Sequence, residues 1–409
     1  MRIPETFRAA AVSFLIASVF YLACPPPAFS QKTQIGLPPP SSSIRIKVPP
    51  KHRRGVFAGP RRLMAPPGFE VSVFAAGLKE PRFMATDPQG NIYVSLPSEG
   101  KVVAFVDKNN DGIPDKTVVF AEGLDRPHGL AFRGTELIVA ETGKLIILKD
   151  TNGDLKADTA EVLTDDIPPG GGHWTRTVVL GPDGNLYVSV GSSCNACVED
   201  DKRRASILRF SDGKATGFAT GLRNSVGMAW SPVKNELWAV DNGRDFLGDD
   251  LPPDELNKIV QGGDYGWPNC YGDRVMDAEI GNALKCKETI PPVEKLQAHS
   301  APLGMAFGTG LDMAREFQDA LFIAFHGSWN RTTPTGYKVV AVPFHEGSNA
   351  GPPVDFLTGW LDSRGKAWGR PVGLLAGKDG ALYLSDDLAG AIYRISFKKT
   401  PSKKAKGGD

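Results

Sequence analysis

Short runs of alternating apolar and polar residues, each closed by a turn, recur along most of the chain. The clearest is Thr177-Val178-Val179-Leu180, then Pro182-Asp183-Gly184-Asn185, then Leu186-Tyr187-Val188-Ser189. β-Branched and aromatic residues on both sides of an Asp-Gly turn predict a β-hairpin. The same unit is read at Phe83-Met84-Ala85 leading to residues 91–95, at residues 129–132 leading to 137–140, and at Gly227–Trp230 leading to 236–240. It returns at residues 304–307, with an insertion before residues 320–323, and at 373–376 leading to 381–385. Phe83, Gly129, Thr177 and Gly227 lie 46 to 50 residues apart, a length that suits one four-stranded blade each. Wider gaps before Gly304 and Gly373 leave room for loop insertions. Six units predict an all-β, six-bladed β-propeller spanning residues 63–397. A β-sandwich accounts for the strands but not for a repeat of this length.

The two ends lack this pattern. Arg2 and Arg8 precede an apolar run over residues 9–23 and the small-x-small site Ala28-Phe29-Ser30, which predicts a signal peptide over residues 1–30. Cleavage after Ser30 is favoured over a lipoprotein reading at Tyr21-Leu22-Ala23-Cys24, because Tyr21 stands where leucine is usual. The run is short for a span of about 20 residues, so the mature chain is expected without a membrane span, periplasmic or secreted. Residues 31–62, rich in proline, serine and basic side chains, read as a flexible or extended linker. Residues 398–409 read as a basic, disordered tail.

Composition narrows the partners. Lysine plus arginine (47) balances aspartate plus glutamate (46) in the 409 residues, which argues against nucleic acid as the main partner. Beyond the leader the cysteines are Cys194, Cys197, Cys270 and Cys286. An even count in an oxidising compartment reads as two disulfides. Of the three possible pairings the local one is expected: Cys194–Cys197 with Cys270–Cys286. A c-type haem would need histidine where Val198 stands.

Candidate chemistry follows from aligning the repeats on the first residue of the inner strand. His173 and Arg223 fall four residues before it, Trp174, Asn224, Arg126 and Arg370 three before it, and His299 five before it. In a propeller these loops share one mouth of the central channel, so His173, Arg223, Asn224 and Arg370 are expected to face one cavity. A neutral imidazole accepts a proton from a bound hydroxyl, guanidinium groups bind anions bidentately, and an amide both donates and accepts. His52 and His345 read as structural or exposed, with His128 and His326 intermediate. Two loops, Asp107-x-Asn109-x-Asp111-Gly112-x-x-Asp115 and Asp150-x-Asn152-x-Asp154-x-x-x-Asp158, have oxygen ligands at calcium-loop spacing. An Asp/Asn/Gly-rich turn explains the same residues and is preferred.

Four segments carry a family resemblance: His173-(x)2-Arg176, residues 181–187 (Gly-Pro-Asp-Gly-Asn-Leu-Tyr), Leu222-Arg223-Asn224, and residues 262–268 (Gly-Gly-Asp-Tyr-Gly-Trp-Pro). From about residue 66 to 397 the chain resembles the soluble glucose/sorbosone dehydrogenases, which use pyrroloquinoline quinone (PQQ) in a six-bladed propeller. Residues 192–197 and 326–331 look like the sorbosone-type branch. The resemblance implies oxidation of a sugar, sugar aldehyde or polyol, with an unidentified electron acceptor. It implies that His173 takes the substrate proton while hydride moves to the quinone. Arg223 would bridge quinone and substrate, and Asn224, Arg331 and Arg370 would hold the cofactor. The backbone carbonyls of Gly243 and Arg244, in Asp241-Asn242-Gly243-Arg244, would ligate Ca²⁺. There are departures: Ser192 stands where glucose-type enzymes carry a carboxylate that orients the histidine, Val226 stands for a quinone-binding glutamine, and residues 246–251 are inserted. Two other classes remain open, a Ca²⁺-dependent sugar lactonase and a non-catalytic binding propeller. The arginine and histidine of the inner loops weigh against the lactonase, which needs carboxylates and amides around an axial metal.

Overall fold

The structure, a computed structural model, describes residues 36–211, 213–345 and 349–398. The expected signal peptide, and the tail apart from Lys398, lie outside the described residues. The chain forms a six-bladed β-propeller. The innermost strands are Met84–Thr86, Gly129–Arg133, Arg176–Leu180, Gly227–Trp230, Pro302–Phe307 and Pro371–Ala376, and each contacts the next until the sixth returns to the first. We number the blades one to six in that order. Each is built on an antiparallel meander, to which Gly263–Asp264 adds in parallel in blade three. Blade six takes its outermost strand from the other end of the propeller sequence: Phe69–Ala76 pairs with Ala391–Phe397.

Alternation along the strands explains the ring. A second strand such as Leu186–Val190 is buried along its whole length, because successive side chains point to opposite faces and both faces are covered. Leu186, Val188 and Val190 pack against Ile138 and Ile147 of blade two, while Tyr187 packs against Met228 and Leu237 of blade four. Equivalent cores fill the other junctions, from blades one and two round to six and one. Nearer the axis, Phe83, Val226, Leu303 and Val372 form an apolar plug. The turns repeat as well. Asp183 accepts from the Asn185 amide and the Tyr187 hydroxyl, and Asp379 likewise from Ala381 and Tyr383.

One expectation is corrected. The stretch 31–62, read as a flexible linker, is ordered over residues 36–62. Ser42–Arg45 pairs with Arg62–Ala65, and Leu37, Ile46 and Phe57 are buried in the core between blades five and six. Its prolines restrict the chain before it docks, which lowers the entropy lost on ordering. In the acidic loops the carboxylates bind backbone amides of their own turn, Asp107 those of Asp111 and Gly112, and Asp150 those of Asn152, Gly153 and Leu155. The disulfides pair as expected, Cys194–Cys197 and Cys270–Cys286.

Candidate active site

The loops that enter the innermost strands are held by acids at the ends of the second strands. Asp241, closing Leu237–Asp241, accepts from the backbone amides of Arg223 (3.0 Å) and Asn224 (2.8 Å) and from the Ser225 hydroxyl. Asp386 does the same for the Arg370 amide, and Glu141, just past its strand, for that of Asp125. Burial pushes the Asp241 carboxyl up to about 6, against the pull of its donors and the Arg223 charge. Each such acid anchors one mouth loop to its own blade.

His173, Arg223 and Asn224 line one cleft of about 220 Å³ at this mouth. His173 Nδ1 lies 2.9 Å from both the carbonyl oxygen and the hydroxyl of Ser192. A carbonyl can only accept, so Nδ1 carries the proton and Nε2 is left as acceptor. Ser192 therefore does the orienting at the position where a carboxylate would stand. Burial first, then the Arg223 charge, lowers the imidazole to about 4, with smaller contributions from Arg176 and Arg204. It is neutral at pH 7.

Arg223 is buried and fully engaged. Its Nε and Nη2 donate to the carbonyl (2.9 Å) and side-chain oxygen (2.8 Å) of Asn195, and Nη1 to the carbonyls of Asn242 (3.1 Å) and Gly243 (2.8 Å). Asp245 is 3.5 Å away. Arg370 lies at the same mouth but outside this cleft. Its Nε donates to Asp387, which also binds Arg82 and His326, each at 2.9 Å. These partners hold the Asp387 carboxyl far below its ordinary value although burial opposes them. Arg331, expected to hold the cofactor, is not among the residues lining this cleft. Arg331 fastens its loop to the Asp249 and Ala298 carbonyls and the Asp250 carboxylate. The Arg244 side chain is paired with Asp277 and Glu279. Arg126 stacks over Trp174, 4.1 Å from the ring centroid.

Other lining residues escaped the repeat alignment. Asp245, Asp254, Trp329 and Asn330 sit in the cleft wall, Asp254 at the start of the third strand of blade four (Asp254–Ile259) and the others in loops of blades four and five. Asp245 accepts from Asn330 Nδ2 at 2.7 Å, and His299 Nε2 is held by the Gly248 and Leu251 carbonyls. Burial pushes the Asp254 carboxyl to about 7. At the rim Trp329 and Phe246 are exposed, with their rings edge to face at 6.0 Å.

A flat polycarboxylate suits a mouth that carries the Arg223 guanidinium in the cleft and Arg370 outside it, the latter sharing Asp387 with Arg82. Oxygen atoms of Asn242, Gly243 and Asp245 suit a hard cation such as Ca²⁺. The Gly243 carbonyl already serves Arg223, so a cation there would share that ligand with the guanidinium.

Fold and site together define a six-bladed propeller with a polar crater at one mouth. The TrAA12-like family model matches residues 63–398, and the chain belongs to that family. An uncharacterised protein of Borreliella burgdorferi is 31% identical, over 82% of this chain and 91% of its own. The PQQ-dependent pyranose dehydrogenase of Coprinopsis cinerea is 27% identical over 82% of this chain, which spans about half (54%) of that relative. The PQQ-dependent sugar dehydrogenase of Hypocrea jecorina is 26% identical, over 81% of this chain and 88% of its own. The fold is shared with the holo form of the PQQ domain of the Coprinopsis pyranose dehydrogenase, at TM-score 0.73 and 24% identity over 86% of this chain and all (100%) of that domain. Among the described residues no helix is long and apolar enough to cross a membrane.

Proposed function

We propose that the protein is an exported quinoprotein dehydrogenase, of the sorbosone type, oxidising a sugar, sugar aldehyde or polyol. One observation carries this reading: a neutral histidine, its Nδ1 pinned by Ser192, shares a cleft with the buried Arg223 guanidinium. His173 takes the hydroxyl proton of the substrate on Nε2. Arg223 presents fixed positive charge where an oxygen of substrate or cofactor gains negative charge, and needs no reorganisation to do so. Asn224 contributes an amide to the same wall, and Arg370 places a cation across the mouth. When bound, PQQ with Ca²⁺ would supply the two-electron acceptor for the substrate's hydride. The electron acceptor that follows is a separate, unidentified partner.

Asp245 and Asp254 supply the carboxylates that the lactonase reading lacked. Both are already committed, Asp245 to Asn330 and Arg223, and Asp254 to the amides of Gly243 and Ala301. That favours the dehydrogenase. The test is reconstitution with PQQ and Ca²⁺, following dye reduction with a panel of sugars and aldehydes. Quinone-dependent turnover is expected, and its loss in His173→Ala. Lactone hydrolysis without quinone would overturn the reading.

A further inference from the structure

The crater's two central side chains are held by one short loop. We propose that Asn195, within the loop closed by the Cys194–Cys197 disulfide, is a positioning residue that sets Arg223 against His173. The proposal rests on the quinoprotein reading for its catalytic consequence, though not for its geometry.

Asn195 grips the guanidinium twice, through its carbonyl on Nε and its side-chain oxygen on Nη2. Two contacts from one residue fix the plane of the group as well as its distance. The same side chain accepts from the Asp245 amide (2.8 Å) and donates to the Asp245 carbonyl (3.2 Å). Asn195 thus ties the blade-three loop to the blade-four insertion. Immediately upstream, Ser192 holds His173 Nδ1 and donates its hydroxyl to the Cys194 carbonyl at 2.7 Å. The loop is clasped from below: the Ser193 carbonyl accepts from the Gly172 amide, and Glu199 takes the Ser193 amide and hydroxyl. A bridge between residues three apart constrains the unfolded chain less than the 16-residue Cys270–Cys286 bridge. Its principal effect is on the native loop, where it keeps the Asn195 carbonyl turned toward Arg223.

The test compares wild type, Asn195→Ala, Cys194→Ser with Cys197→Ser, and Ser193→Ala. Ser193 serves Glu199 in the same loop and touches neither central residue through its hydroxyl. In the quinone-free protein the His173 imidazole is titrated by NMR. Arg223, Arg176 and Arg204 face that imidazole, together with the Ser192 carbonyl. Releasing Arg223 is expected to shift the His173 midpoint upward in the Asn195 and double-cysteine variants and leave it in place in Ser193→Ala. In reconstituted enzyme kcat falls by about tenfold or more in Asn195→Ala, as displacement of an oriented group predicts, with KM for the sugar little changed. An unmoved midpoint in both variants overturns the proposal. If Asn195→Ala does not fold, the double-cysteine variant and the reduced wild type give the same reading. Wild type without quinone-dependent turnover would sink the functional reading alone, since the titration is read without quinone.

Discussion

With Nδ1 bound to Ser192, His173 offers Nε2 to a ligand, and its surroundings decide whether that nitrogen is free. An ordinary histidine is half protonated at 6.5, whereas burial and the Arg223 charge bring this one to about 4. The sign is clear: the folded state resists protonation, so stability present above pH 6.5 is lost as the pH falls toward 4. NMR titration of the quinone-free protein should find the midpoint near 4. Arg223→Gln should raise it without restoring the ordinary value, because burial is the larger cause. A midpoint unchanged by that substitution would mean the two groups do not sense each other. The offsets in the sequence sufficed to bring His173, Arg223 and Asn224 to one cleft, since repeat position maps onto angular position around the axis. They could not find Asp245, Trp329 or Asn330, which lie in loops after the second strands of blades four and five, away from the innermost strands on which the repeats align. For Arg331 the sequence displays the charge but not the carbonyls of Asp249 and Ala298 to which it donates.

At the scale of single elements, the blades approach one another closely at the start of each innermost strand. A Cβ on Gly227 would lie 2.0 Å from the Leu303 carbonyl oxygen, on Gly304 2.4 Å from that of Val372, and on Gly373 2.6 Å from that of Arg82. Backbone packs on backbone there, and no flexible side chain can yield. Blade three uses Thr177 instead, whose hydroxyl donates to the Val226 carbonyl at 2.6 Å. Gly227→Ala should therefore destabilise by about 1–3 kcal/mol, the usual cost of overpacking, and shift the crater loop that begins at Gly221. Chemical denaturation checks the first effect and quinone-dependent turnover the second. Hairpins were legible in the sequence because each carries its own turn signal and alternation. The ordered stretch over residues 36–62 was not, since Leu37, Ile46 and Phe57 stand singly among prolines and basic residues and only the finished propeller supplies their partners.

Closure governs the whole molecule. The first strand of the propeller sequence, Phe69–Ala76, is the outer strand of the last blade, so the ring is sealed by pairing between distant parts of the chain. Such non-local pairing rewards the chain only after most of it is in place. Phe74 reaches the core between blades six and one, and Phe69 and Val71 the core between five and six. Losing this strand therefore opens two junctions at once and bares the edge of Ala391–Phe397. Residues 36–61 bear differently on stability, because they cover the blade-five and blade-six core without completing a sheet of the ring. Removing them gives up the burial of Leu37, Ile46 and Phe57, about 1.5–3 kcal/mol each as an upper bound. The mouth loops of blades three and four are untouched. A chain lacking residues 1–61 should melt at a lower temperature, still cooperatively, and retain the His173 titration. A chain lacking residues 1–76 should lose cooperative melting altogether. Equal melting of the two chains would show that the ring does not depend on the seam at blade six.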